Sequence, residues 1–259
     1  MPYRYIKVEK SNHITTITIN RPELMNALHP PANGEMGKAF DEFQDDDDAW
    51  VAIVTGAGER AFCAGNDLKA LAEGQTYPEV KWSGFFGGIT DRHNLYKPVI
   101  AAVNGVAMGG GFEIALACDI IVASDNAVFA LPEPRVGLVA GAGGIHRLPR
   151  MLPLKIAMGM LLTGRRMPAE EAARWGVVNE VVPQAKLMEA AHRWAALILE
   201  CAPISVRLTK QSAYGNLHMS LPDAINRYAP LDRVFRASED IVEGPKAFAE
   251  KRKPNWKNR

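Results

Sequence analysis

The chain has 259 residues, 47% of them hydrophobic and 23% charged, with a formal net charge of +1 at pH 7. That is long enough to bury a full core and ordinary for a globular protein, while the balanced charge gives no general attraction to nucleic acid or a membrane surface. Cys63, Cys118 and Cys201 are too few and too widely spaced for a disulfide framework. The start of the chain lacks the apolar core of a signal peptide and no apolar run would span a bilayer, so a cytoplasmic location is expected.

Taken in order, residues 3–7 and 13–19 read as strands, the second alternating Ile14, Thr16 and Thr18 against Thr15, Ile17 and Ile19, with Ser11-Asn12 as the turn. Arg21-Pro22 stops the second strand, and residues 25–43 carry a helical pattern broken near its start by Pro30-Pro31. The acidic run Asp45 to Asp48 reads as a solvated connection without function. Trp50 to Thr55 is an apolar strand that opens into a loop from Gly56 to Leu68, rich in glycine and alanine. Small residues there let an extended ligand lie along the backbone, although on this loop alone a flexible connection is the preferred reading. Residues 74–96 are irregular, with Gly84, Gly87 and Gly88 among Trp82, Phe85 and Phe86, which suits either a mobile apolar lid or a helix of poor pattern.

Pro98 to Val103 has the length and β-branched content of a buried strand, and Gly109-Gly110-Gly111 then leads into a helical stretch from Phe112 to Cys118. Glycines at a helix start let unpaired N–H groups approach a ligand, and the helix dipole adds partial positive charge. Gly110 and Glu113, three apart, share one side of the first turn, so a carboxylate would stand beside a site that holds negative charge. On these residues alone, a glycine turn for close helix packing is an equal alternative. Residues 120–124 and 127–131 follow as short strands, and two prolines in Leu131-Pro132-Glu133-Pro134-Arg135 hold Glu133 on a loop. Gly141-Ala142-Gly143-Gly144 begins eight residues beyond Glu133. Helical patterns cover 153–162, 169–175 and 183–200, with a strand at 177–182. From residue 202 only helices are expected, which divides the chain into an α/β part, 1–200, and a helical part, 201–259.

Familiar signatures fail. GxGxxG begins at Gly56 and Gly141 but breaks at Ala61 and His146, and neither a Walker lysine loop nor GxSxG occurs. The six histidines never fall at a metal-ligand spacing, so no metal is expected; His146, beside the second glycine cluster, is the one of interest.

Set in order, Asn20-Arg21-Pro22 with Asn26-Ala27-Leu28, Ala61 to Leu68, Lys97 to Gly105, Gly109 to Glu113, Leu131 to Gly137, Gly141 to Gly144, Leu162 to Arg165 and Glu243 to Phe248 resemble the enoyl-CoA hydratase/isomerase, or crotonase, family over nearly the whole chain. The resemblance implies an α/β spiral of ββα units with a C-terminal helical trimerisation region, assembled as a homotrimer or a dimer of trimers. It implies an acyl-CoA substrate, coenzyme A arriving as part of it, and no separate cofactor. It places an oxyanion hole at the backbone N–H groups of Asn66 and Gly110, the two catalytic glutamates at Glu113 and Glu133, and a water-orienting backbone N–H at Gly141. Coenzyme A contacts fall on Ala64, Asp67, Leu68, Phe248 and Lys251, the lysine near the phosphates. The implied reaction is reversible hydration of a 2-enoyl-CoA, with isomerisation as an alternative.

Several segments, among them Gly65 to Ala70, Gly164 to Met167 and Ala172 to Asn179, are similar to the carnitinyl-CoA dehydratases of that family. The tryptophan of that branch corresponds to Asn66 here, and an aromatic ring is what would bind a quaternary ammonium, so an unsubstituted enoyl-CoA is the expected substrate. Some relatives bind RNA, and residues 246–259 hold six basic residues against one acid. In a chain this balanced, a solvated or phosphate-contacting tail is the expectation.

Overall fold

A computed structural model describes residues 3–74 and 83–259. The chain opens on a hairpin of β1 (Ile6–Ser11) and β2 (Ile14–Ile19), with Ile6 opposite Ile19 and Ser11 opposite Ile14. Asn12 and His13 take positive φ, 49° and 62°, the two-residue turn that matches the twist of a hairpin. On β2, Thr15, Ile17 and Ile19 are the buried face of the alternation. The helical pattern expected from Met25 starts later: α1 spans Pro30–Asp45. Proline suits a first helical position, where its missing N–H has no partner to lose, whereas Met25 and Asn26 are left-handed and cannot belong to a helix.

Three strand–strand–helix units follow. The first is β3 (Val51–Gly56), β4 (Ala61–Cys63) and α2 (Leu68–Ala72). Next come β5 (Val99–Val103), β6 (Val106–Met108) and α3 (Gly110–Ala117). The third is β7 (Ile120–Ser124), β8 (Val128–Ala130) and, after a short 3-10 turn, α4 (Gly144–Met151). First strands of the units join one sheet and second strands another. Then α5 (Leu154–Thr163), β9 (Met167–Pro168), α6 (Ala169–Arg174) and β10 (Glu180–Val182) complete the sheets, in orders β1-β2-β3-β5-β7-β10 and β4-β6-β8-β9. β3 and β5, buried on both faces, show continuous apolar runs rather than alternation, as central parallel strands do.

Phe40, Phe62, Phe112 and Phe129 fill the main core, and α7 (Leu187–Leu199) lays Ala190, Ala191 and Ala195 on the outer face of the larger sheet. After it run α8 (Pro203–Asn216), α9 (Leu221–Asn226), α10 (Asp232–Ala237) and α11 (Asp240–Ala249).

The segment expected to be irregular lies partly outside the described residues, Trp82 included. Residues 83–96 are tied down: Arg92 donates to the Gly88 and Gly37 carbonyls at 2.8 and 3.1 Å and pairs with Asp41 of α1 at 2.7 Å. Nothing in that half has the character of a free lid. The acidic run after α1 also has a local task, since Asp46 pairs with Lys10 at 2.6 Å and its carbonyl accepts from buried Lys97 at the same distance.

Candidate active site

Parallel pairing of β6 with β8 builds the site. Met108 stands opposite Ala130, so both strands end at one level and release Gly109-Gly110 and Pro132-Glu133 side by side. Gly109, at φ 53°, donates to the Ala130 carbonyl at 2.9 Å and lets α3 begin at Gly110. A Cβ on Gly109 would lie 2.8 Å from Glu133 Oε1, so the Glu133 carboxyl rests directly on the helix start. Glu133 itself opens a 3-10 turn, Glu133–Val136, rather than an irregular loop. One turn into α3, Glu113 is only 3% exposed. Both carboxyls face one cleft of about 370 Å3, which Asn66, Gly110 and Gly141 also line.

The loop carrying Asn66 is fixed by Leu28. The Leu28 N–H donates to the Gly65 carbonyl at 2.8 Å and the Asp67 N–H to the Leu28 carbonyl at 3.0 Å, a parallel bridge centred on Asn66. In such a bridge the central residue's own N–H points to the opposite side, here toward the cleft. Gly65, at φ 92°, brings the two donor residues together: a Cβ there would be 3.1 Å from the Gly110 nitrogen. As first residue of α3, Gly110 has no intrahelical acceptor for its N–H.

Asn26 and Arg21 hold the frame behind this loop. The Asn26 side chain accepts from the Arg21 N–H at 3.0 Å and donates to the Ala61 carbonyl at 2.7 Å. Arg21 donates to the Ala27 carbonyl and pairs with Asp67 at 3.0 Å, both partners nearly buried. Asp67 also accepts the Ala70 N–H at 3.2 Å, capping α2. Burial would raise its proton affinity, but the Ala70 N–H and Arg21 outweigh that and hold it below the usual carboxylate range. Asp67, expected as a coenzyme A contact, turns its carboxylate inward to Arg21 and the Ala70 N–H and does not line the cleft.

Burial pushes the Glu113 carboxyl up to about 7; the Gly144 N–H, donating to Oε1 at 2.8 Å, opposes this, while the charge of Glu133 adds to it. The Ala142 N–H is a second donor to the same carboxyl. Burial likewise raises Glu133, whose Oε2 is buried without a hydrogen-bond partner. The charge of one carboxyl thus bears on the proton affinity of the other. The Gly141 N–H, expected to orient water, donates to the Val139 carbonyl at 2.7 Å within a tight turn, while the Gly144 N–H is aimed at Glu113.

Of the residues singled out from the sequence, Ala64, Asn66, Leu68, Gly110, Glu113, Glu133 and Gly141 meet in the cleft. Phe248, on α11 and 87% exposed, and Lys251, just beyond that helix, do not line it. Sequence reasoning missed the apolar lip of Val136, Leu138 and Val139, which faces Phe85 and Phe86 across the opening. Among the described residues, no group of three or more His, Cys, Asp or Glu side chains could hold a metal ion, and no helix is long and apolar enough to cross a membrane.

Two carboxyls of raised proton affinity thus stand beside the glycine-opened start of a helix, an arrangement with the means to move protons next to a place that favours negative charge. The family model for enoyl-CoA hydratase/isomerase matches residues 9–259, and the chain belongs to that family. It is 47% identical over 265 residues to the carnitinyl-CoA dehydratase of Proteus mirabilis (strain HI4320), covering 97% of this chain and all of that one. To the carnitinyl-CoA dehydratase of Escherichia coli (strain K12) it is 48% identical over 258 residues, 98% of each chain. The crystal structure of enoyl-CoA hydratase from Mycobacterium tuberculosis H37Rv superposes with a TM-score of 0.91 at 39% identity, over 98% of this chain and 99% of that one. That of carnitinyl-CoA hydratase from Mycobacterium avium gives 0.79 at 43% identity, over 99% and 100%.

Proposed function

We propose that the protein catalyses reversible addition of water across the C2–C3 double bond of a 2-enoyl-CoA, giving the 3-hydroxyacyl-CoA. The thioester oxygen sits between the N–H groups of Asn66 and Gly110, which stabilise the negative charge that gathers there as the enolate forms; such donors contribute roughly 3 kcal/mol each. One ionised carboxylate of the Glu113–Glu133 pair takes a proton from water as its oxygen bonds to C3. A carboxyl proton of the pair goes to C2, and in the reverse direction each transfer runs backward. No cofactor is required, because coenzyme A comes with the substrate. Ala64 and Leu68 at the mouth of the cleft suit its pantetheine arm, and the apolar lip suits an acyl chain.

A single observation carries this reading: both glutamates converge on the glycine-opened start of α3 in one cleft. Double-bond migration needs only one acid–base group in principle, so the second carboxyl favours hydration. The identity to carnitinyl-CoA dehydratases supports a second reading, crotonobetainyl-CoA as substrate. Against it stands a small polar residue, Asn66, at the acyl end, where an aromatic ring would hold a trimethylammonium group. Turnover of crotonyl-CoA, longer 2-enoyl-CoAs and crotonobetainyl-CoA, measured side by side, separates the two. An unsubstituted enoyl-CoA is expected to give the highest kcat/KM; a preference of about ten-fold or more for crotonobetainyl-CoA, about 1.4 kcal/mol in transition-state binding, would reverse the order.

A further inference from the structure

The Gly144 N–H holds the Glu113 carboxyl, but the proposed reaction gives Gly143 and the neighbouring Arg147 no task. Arg147, in the first turn of α4, is partly buried, and its guanidinium joins two walls of a pocket beside the cleft, the Thr90 segment and the 141–144 turn. Nη2 donates to the Thr90 carbonyl at 2.9 Å and Nη1 to the Ala142 carbonyl at 3.5 Å. Gly143, at φ 107°, makes room for this: a Cβ there would collide with Nη1. Thr90 belongs to the segment that Arg92 fastens to α1, so the far wall is itself anchored. On the near wall, the Gly144 N–H is 2.8 Å from Glu113 Oε1, and a Cβ on Gly144 would come within 3.0 Å of that oxygen.

We propose that Arg147 is a positioning residue: its guanidinium locks the 141–144 turn against the Thr90 segment and so aims the N–H groups that hold the Glu113 carboxyl. This rests on the acid–base role given to Glu113 above. A planar fork can engage two carbonyls in fixed directions, which an ammonium cannot do with the same geometry. The guanidinium also faces Glu113 as a cation. Around Glu113 stand Glu133, from the turn after β8, and Arg147 from α4. Around Arg147 stand Glu113 and Cys118 from the two ends of α3, Asp91 from the Thr90 segment and Tyr214 from α8. Removing the guanidinium therefore leaves Glu113 facing Glu133 without a nearby positive charge. Its carboxyl should then hold the proton to higher pH.

The experiment compares wild type, Arg147→Gln and Arg147→Lys by kcat and KM across pH, together with carboxyl 13C NMR of glutamate-labelled protein, the Glu113 signal being the one lost in Glu113→Gln. Arg147→Gln is expected to lower kcat about ten-fold or more with little change in KM, because geometry and not ground-state affinity is lost. Its acid limb and the Glu113 titration should both move up by about half a pH unit. Arg147→Lys should keep the limb in place while losing part of kcat. An unmoved Glu113 titration in Arg147→Gln, or wild-type kcat in Arg147→Lys, overturns the proposal. Should Arg147→Gln fail to fold, Arg147→Lys still decides. Wild type inactive on every enoyl-CoA would sink the hydratase reading, while the NMR titration would still judge Arg147.

Discussion

A glutamate that is only 3% exposed, and whose proton affinity rises to about 7, pulls stability and activity in opposite directions. Below about 4.5 Glu113 is protonated in both folded and unfolded chains, so its burial is then least costly. As pH rises from there through 7, the unfolded chain releases the proton first, and the native state loses stability relative to it. Glu113→Gln keeps the acceptor for the Gly144 N–H and never ionises. It should flatten the fall in thermal stability over this window and be more stable than wild type at pH 8 by about 1–3 kcal/mol. The same change, like Glu133→Gln, should cut hydration by orders of magnitude in an initial-rate assay, and near-native turnover in either would remove that residue from the acid–base pair. Gly110 and Glu113 stand out in the sequence by residue type and spacing, Glu133 only through the family resemblance, and the three line one cleft. Arg147 does not stand out. Its partners are the Thr90 and Ala142 carbonyls, and a backbone acceptor leaves no mark on residue identity.

At the scale of elements, periodic helices and most strands were readable, the three-residue β8 and β10 only as parts of longer apolar runs. β4 and β6 have three residues each and β9 has two, too few for a period to register, yet β6 is what sets Gly109 level with Glu133. α4 escaped notice because Pro149 lies within it. α1 was placed too early because the left-handed backbone at Met25 and Asn26 has no glycine to announce it. The cap of α2 yields a test that separates structure from ligand contact. Asp67→Ala removes both the Ala70 acceptor and the partner of nearly buried Arg21. Leaving that cation unpaired should cost about 3–5 kcal/mol in urea unfolding. An Asp67→Ala protein with unchanged stability but a raised KM would instead assign this carboxylate to coenzyme A.

For the molecule as a whole, the C-terminal helices carry apolar surface that the described residues leave uncovered: Leu217, Leu221, Ile225 and Tyr228 are each at least 73% exposed. A stretch of this kind marks an association surface, in keeping with the trimer proposed from the family resemblance. Leu221→Glu with Ile225→Glu should shift light-scattering mass toward the monomer, and an unchanged mass would place the contact elsewhere. Lys251 and Phe248 lie outside the cleft of their own chain. If Lys251 meets coenzyme A phosphates, Lys251→Ala should raise KM, leave kcat nearly unchanged, and lose its effect as salt screens the pair. A fall in kcat alone would argue against that contact. Helical character after residue 202 was legible from pattern, but which apolar residues face outward depends on how the helices dock, which periodicity alone does not tell.

The three cysteines divide along the same inside–outside line. Cys63 lies behind the oxyanion loop, its sulfur 3.4 Å from the Gly65 nitrogen, and burial pushes its thiol up to about 12; Cys118, at the end of α3, is buried and raised as well. Thiolate is the reactive form, so neither can be alkylated or oxidised while the chain is folded. Cys201 alone is exposed. The native chain therefore offers one attachment point for a fluorophore or spin label, set just before α8 and well away from the glutamates. The other two thiols become available only when the centre of the molecule opens, so their rate of modification is a clock for unfolding.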